Sequence, residues 1–370
     1  MKRMMLWVVA FLALLGGTLY AQDIARDWQG TPNEKAGTIA GTWTEGPPLP
    51  LELHRATKET LWQTDSSPHT VSFVTVENDV KLEVLDWGGT GRPVVLLAGL
   101  PDTAHVFDEF APKLTAKYHV YGITRRGFGA SSSPPPDNVN YTADRLGDDV
   151  LAVLASLKID KPVLVGHSIA GEEMSSVGSR HPEKVAGLVY LDSGYAHAYY
   201  DSVHGDLLLD AMDLRRKLDE IMPGEQPPDP RAFAQELVQT SLPRFEKDLQ
   251  EAQKVLQAMP PAPPQKKQPP SPSTAIQWGM RKYTVIPVPI LAIFALPHDY
   301  GADFMKDDPT GRAAVEARDT ARTAAQADAF EKGLPSARVV RLANANHYVF
   351  RSNEADVLRE MNAFIGSLAQ

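Results

Sequence analysis

Three kinds of side chain in this sequence could together break an acyl bond: a serine at a strand-to-helix junction, a late histidine and one of two aspartates. The serine is Ser168, in the stretch VLVGHSIAGEE, Val163 to Glu173. A short apolar run enters Gly166-His167-Ser168-Ile169-Ala170, one residue short of the G-x-S-x-G pattern that exposes a catalytic serine on a sharp turn. Residues two before and two after such a serine approach each other closely, so both must be small; Ala170 adds only a methyl to the second position. A hydroxyl attacks only when a base takes its proton and an acceptor orients that base. Of the ten histidines, His347 suits the base, because it follows ARVVRLANAN on the loop between the last strand-like run and the last helical one. That loop lies at the C-terminal edge of a parallel sheet, where α/β sites are assembled.

The elements that must hold these residues follow from periodicity. TVSFVTVE and VKLEVLDW alternate apolar and polar residues around Asn78-Asp79, as a hairpin of half-buried strands does. PVVLLAGL, YHVYGITR, KPVLVGHS, VAGLVYLD, VPILAIFA and ARVVRLAN are short apolar runs. Helical stretches separate them, at about Thr103 to Ala116, at about Tyr141 to Leu157 and from Ser168 onward. This alternation predicts an α/β fold, a mostly parallel sheet with helices on both faces, closed by a helix at about Ser352 to Ser367. The rhythm breaks at about residues 194–287. There, DLLLDAMDLRRKLDEI and FEKDLQEAQKVLQAM read as helices of a cap, followed by seven prolines between Pro260 and Pro272. Proline lacks an N–H and fixes φ, so 260–272 is expected to be an exposed loop. Residues 22–67 are polar and rich in Gly, Pro and Thr, and read as an extended leader for which a β-hairpin is one form.

Four stretches carry a family likeness. VVLLAGLPDTAHVFDEF looks like an H-G-x-P oxyanion loop, and GITRRGFGASSSP looks like a D-x-R-G-x-G-x-S-x-P turn. VLVGHSIAGEE looks like a nucleophile elbow and ANANHYVF like a histidine loop. Taken in this order, with serine, strand carboxylate and histidine in sequence, the chain resembles the α/β-hydrolase superfamily from about Thr70 to Gln370, in the group with a cap inserted after the sixth strand. The resemblance implies Ser168 as nucleophile, His347 as base and then acid, and the backbone N–H groups of Leu100 and Ile169 as the oxyanion hole. Ala98 replaces the family's histidine, so other contacts must hold the oxyanion loop. For the triad acid the resemblance favours Asp299 in IFALPHDYG, although Ala295 replaces the usual glycine and the spacing is one residue longer than in many members. Asp192 in VYLDSGY is the alternative, where some haloalkane dehalogenases carry theirs. His298 would suit a metal, but no third ligand lies at metal spacing, and neither a metal nor a cofactor is expected.

The reaction class follows from the nucleophile. Epoxide hydrolases and haloalkane dehalogenases of this fold attack with an aspartate at the elbow, so Ser168 points to acyl transfer to water. The tandem glycines of some lipase oxyanion loops are missing, which disfavours long triglycerides. Tyr195, Tyr199, Tyr200, Trp278 and Tyr283 would either line an acyl pocket or pack in the core.

Composition bounds the setting. A chain of 370 residues with 43% hydrophobic content can bury a full core. Its formal charge is -9, and without Lys2 and Arg3 it would be -9 - 2 = -11, which argues against nucleic acid as a partner. The opening MKRMMLWVVAFLALLGGTLYAQD has two basic residues and an apolar run from Met4 to Leu15 that stops short of the roughly 20 residues a membrane span needs. It reads as a signal peptide over 1–21, giving a periplasmic or secreted mature chain without a span. There is no cysteine, which excludes a lipoprotein anchor, disulfides and thiol chemistry. The expected function is an exported serine hydrolase cleaving a small ester, lactone or thioester, with water as second substrate. Carbon–carbon bond hydrolysis by the same three residues is one alternative, and a hydrolase-like binding module is another. Activity should fall as pH drops through about 6 to 7, because a protonated His347 cannot accept a proton.

Overall fold

The computed structural model describes residues 28–33, 38–43, 49–54, 67–137, 139–194, 198–221, 227–257 and 270–369. The signal peptide expected over 1–21, Tyr195 and most of the proline-rich loop lie outside these residues. The chain divides into two units, the first ending at Pro68. That unit contains an antiparallel sheet of β1 (Trp28–Asn33), β2 (Thr38–Trp43) and β3 (Leu49–His54), with Trp28 opposite Trp43 and Thr38 opposite His54. Three strands therefore stand where a hairpin would have two.

The second unit is built on an eight-stranded sheet. Its strands are β4 (Thr70–Glu77), β5 (Val80–Gly88), β6 (Pro93–Leu97), β7 (His119–Ile123), β8 (Val163–His167), β9 (Gly187–Leu191), β10 (Ile290–Ala295) and β11 (Ala337–Leu342), in the order β11-β10-β9-β8-β6-β7-β5-β4. Pairings among β6 to β11 are parallel; β4 and β5 form the antiparallel hairpin read from the sequence, and β5 joins β7 antiparallel. The order jumps where β8 rather than β7 follows β6, and such a switch leaves a crevice at the strands' C-terminal ends.

Period-two geometry sorts successive residues of each strand onto opposite faces. Val95, Leu97, Leu164, Leu188 and Phe294 pack on one face against helices α1 (Ala143–Ser156), α2 (Ala170–Arg180) and α7 (Pro309–Gly333). Val94, Leu96, Val165, Val189 and Ile293 pack on the other against Phe107, Phe110, α8 (Val349–Ser352) and α9 (Glu354–Ser367). Central strands buried on both faces read as continuous apolar runs, as β8 and β9 do.

One element departs from expectation. The stretch at about 103–116 forms two 3-10 turns, Ala104–Phe107 and Ala111–Lys113, instead of one helix. Pro112 removes a donor, and the buried residues Ala104, Phe107 and Phe110 recur every third position, the period of a 3-10 turn. The cap comprises α3 (Leu207–Asp219), α4 (Pro230–Glu236), α5 (Leu242–Gln257) and α6 (Pro272–Trp278). Asp206, Asp229 and Ser271 cap the N-termini of α3, α4 and α6 by accepting backbone N–H bonds. Among the described residues, no helix is long and apolar enough to cross a membrane.

Candidate active site

Ser168 sits between β8 and α2 with φ of +54°, a left-handed backbone that a serine adopts only where its surroundings impose it. Those surroundings are visible: the Ser168 N–H donates to Leu191 O at 3.3 Å, and the Ser193 hydroxyl donates to Ser168 O. A Cβ added at Gly166 would lie 2.8 Å from Met174 Sδ and 3.0 Å from the Ala170 methyl. The turn is narrow across its waist: the Ala170 methyl fits there, and a methyl at Gly166 would require the end of the Met174 side chain to shift.

His347 follows β11 at the same sheet edge. Its Nδ1 lies 2.7 Å from Asp192 Oδ2, and its carbonyl accepts from His167 Nε2 at 3.0 Å. With Nδ1 engaged by a carboxylate, the ring carries its proton there, and Nε2 is left as the acceptor a nucleophile needs. The Ser168 hydroxyl makes no hydrogen bond within the described residues; catalytic hydrogen bonds of this kind often close only on a bound substrate.

The expectation that Asp299 orients His347 is corrected. Asp299 is exposed, its carboxylate accepts from the Gly301 N–H at 2.8 Å, and its own N–H is tied to Ala345 O. Extended backbone turns neighbouring side chains to opposite sides. The extra residue after β10 therefore presents His298 to the site and Asp299 to solvent. Asp192, the alternative acid, closes β9 and is 1% exposed. Its Oδ1 accepts the Ala295 N–H at 2.9 Å, and its Oδ2 faces both His347 and, at 2.6 Å, His298 Nε2. Burial pushes this carboxyl up, but the bonds and charge of His298 and then His347 outweigh it and hold it below the usual carboxylate range. Burial pulls His298 down, yet Asp192 and, through Nδ1 at 2.6 Å, Asp319 push it up to about 10. Burial first, then the nearby His347, lowers His167 to about 3, so that ring is neutral.

The loop after β6, expected to form the oxyanion hole, is held without a histidine at position 98. Arg125 donates from Nη2 to Ala98 O at 2.7 Å and forms a bidentate pair with Glu173 of α2, both contacts 2.9 Å. Tyr348 donates its hydroxyl to Asp102 at 3.0 Å. A Cβ at Gly99 would meet His167 Nδ1 at 2.7 Å and Ser168 Cβ at 3.1 Å, so the loop rests directly on the elbow. Neither the Leu100 nor the Ile169 N–H donates to a described protein acceptor. Leu100, Phe128, Ile169, Leu209 and Ile276 form an apolar cluster between elbow and cap. The cap aromatics serve packing: Tyr200 donates to Asp210 and Tyr283 to Asp144, both at 2.8 Å, while Trp278 is partly exposed.

Arg125, Glu173 and Asp319 escaped the reading of motifs, and His298 entered it only as a candidate metal ligand. Only the adjacent basic pair in TRRG hinted at the first. Folding also gathers ligand-type groups that linear spacing hides. His69, His105 and Asp108 offer atoms within 4.8 Å of one another, a set that could hold a divalent cation taking nitrogen and oxygen ligands. Asp192, His298 and His347 do likewise, but contacts of 2.6 and 2.7 Å to one oxygen are those of proton-bearing hydrogen bonds.

Comparison with known proteins agrees with this architecture. The family described as alpha/beta hydrolase fold matches residues 92–275. A fluoroacetate dehalogenase from Burkholderia is 31% identical over 118 residues, covering 31% of this chain and 39% of that protein. Epoxide hydrolase A of Mycobacterium tuberculosis is 34% identical over 116 residues, 31% of this chain and 36% of that one. An sn-1-specific diacylglycerol lipase of Xenopus laevis is 29% identical over 168 residues, 42% and 52% of the two. The chain thus matches only about half or less of each relative's length. Among solved structures, a hydrolase from Pseudomonas aeruginosa aligns over 80% of this chain and 99% of its own, with TM-score 0.51 and 20% identity. An epoxide hydrolase from Bacillus megaterium aligns over 80% and 100%, with TM-score 0.50 and 18% identity. From the doubly covered parallel sheet, the strained serine at its switch point and these matches, the chain belongs to the α/β-hydrolase superfamily.

Proposed function

We propose that the protein is a serine hydrolase that cleaves a small carboxylic ester, lactone or thioester through an acyl-enzyme, exported by its N-terminal signal-like segment. Ser168 Oγ attacks the acyl carbon while its proton passes to His347 Nε2. The negative charge that develops on the carbonyl oxygen is met by the Leu100 and Ile169 N–H groups, each donor contributing about 100- to 1000-fold. Asp192 holds the His347 tautomer and stabilises the imidazolium; His347 then protonates the departing alcohol. Water, deprotonated in turn by His347, hydrolyses the acyl-serine and restores the hydroxyl. The single observation that carries this reading is a serine, not a carboxylate, on the strained elbow at φ +54°, in a fold whose dehalogenase and epoxide-hydrolase members attack with aspartate. The apolar cluster around Leu100 and Ile169 supports an acyl group of modest size. The test is turnover of short p-nitrophenyl esters with a pre-steady-state burst. Both should be lost in Ser168→Ala; turnover that survives this substitution would refute the assignment.

A further inference from the structure

The residue the triad does not explain is His298. Its Nε2 lies 2.6 Å from Asp192 Oδ2 and its Nδ1 lies 2.6 Å from Asp319 Oδ2, on α7. A histidine has no acceptor left when both nitrogens face carboxylate oxygens at this distance, so both must donate and the ring is an imidazolium. The His298 side chain is 8% exposed and Asp192's is 1%, so the charge has little water to screen it. We propose that His298, clamped between Asp192 and Asp319, is a permanently charged positioning residue. It fixes the triad carboxylate from behind and limits how much positive charge His347 can hold.

The geometry gives His298 no role in proton transfer to substrate, since both nitrogens are engaged on the far side of Asp192. Its ring centre is 6.3 Å from that of His347, close enough for one cation to oppose another. The clamp therefore moderates the acid: Asp192 keeps its orientation, but its charge is shared between two imidazoles rather than given wholly to His347. An Asp192 facing His347 alone would retain a proton on that ring more strongly and release it to the leaving group less readily. Other titratable and charged groups surround the pair, among them Arg318 and Arg322 on the helix that carries Asp319. Tyr300 lies 6.0 Å from the His298 ring, and His167 lies 4.5 Å from the His347 ring. Asp102 is reached through Tyr348, and Arg351 lies over the Tyr348 ring. Among the described residues, the hydrogen-bond partners of Asp192 Oδ2 are the two imidazoles, which divide it.

The inference rests on the serine-hydrolase reading only where activity is the readout, and its test has a second arm that does not. In His298→Gln, which can still donate to Asp192 but carries no charge, the acidic limb of the kcat/KM profile should move to higher pH by about half a unit to one unit. At pH 8, kcat should fall several-fold while KM holds within about twofold, because His298 meets no substrate. A purely structural histidine would lower activity without moving the limb, and that result would overturn the proposal. In the wild-type protein, the 15N resonances of His298 should stay at imidazolium values from pH 6 to 9. A neutral-ring pair of shifts at pH 7.5 would overturn the clamp whether or not the variant folds and whatever the substrate. Failure of the hydrolase reading would instead show as undiminished turnover in Ser168→Ala, leaving the 15N result to decide the clamp alone.

Discussion

Around Asp192 polar atoms are saturated, and at the elbow around Ser168 they are held open. Behind the His347 ring, Asp192 receives the Ala295 N–H and two imidazole nitrogens, and His298 gives both of its protons to carboxylates. At the elbow and the loop after β6, the Ser168 hydroxyl and the Leu100 and Ile169 N–H groups make no hydrogen bond within the described residues. The difference follows from charge. A buried carboxylate without partners would be driven to take up a proton, so the acid side is stable only when fully bonded. On the serine-hydrolase reading proposed above, the serine side has to keep its valence for a charge that exists only during reaction, and rigid surroundings must prevent it from closing on itself. Here that rigidity comes from the Arg125–Glu173 pair and from the tight contacts of Gly99 and Gly166.

Substitutions can break this contrast from either side. The largest effect is expected behind the ring: Asp192→Asn should lower kcat by about 1000- to 10,000-fold, since the wrong His347 tautomer is then favoured. Asp299→Asn should leave kcat within about threefold, because its carboxylate serves only the Gly301 turn; steady-state rates on one ester compare the two. Arg125→Met leaves Glu173 buried without its partner and should cost about 3–5 kcal/mol in urea unfolding. The double variant with Glu173→Leu should recover most of that loss. Gly166→Ala forces a methyl against Met174 and Ala170 and should cost about 1–3 kcal/mol in the same assay.

The smallest effect concerns pH. The folded protein raises His298 from the usual 6.5 to about 10. A raised histidine contributes stability that is fully present below its unfolded value and is lost as pH rises through the folded one. The Tm advantage of wild type over His298→Gln should therefore be greatest near pH 6 and shrink steadily toward pH 10, as differential scanning calorimetry can read.

The parts of the molecule that were legible in the sequence are those set by local pattern. The alternation of short apolar runs with helices foretold the parallel sheet, and the run into Gly166-His167-Ser168 foretold the elbow, because strand periodicity and small-residue spacing are written within a few neighbouring positions. The acid was not legible in this way. Asp192 directly follows the apolar strand β9 and Asp299 lies on the loop after the apolar strand β10, and only the side of the chain each faces decides between them. A single extra residue after β10 flips that side and puts a histidine where a carboxylate was expected. The support of the oxyanion loop was equally hidden: Arg125, Glu173 and Ala98 meet from three separate elements, and nothing in the spacing of 27 and 48 residues announces it. The 3-10 turns at Ala104–Phe107 and Ala111–Lys113 were misread as one helix because apolar residues at three-residue spacing satisfy both patterns until Pro112 is weighed.

The central claim is that Ser168 is made reactive by His347 held on Asp192, not on Asp299. Intact-protein mass spectrometry after brief exposure to a fluorophosphonate tests it directly. Wild type and Asp299→Asn should gain one phosphonyl adduct at similar rates, Asp192→Asn should label far more slowly, and Ser168→Ala should not label at all. An Asp192→Asn protein that labels as fast as wild type, or an Asp299→Asn protein that does not, would contradict the account.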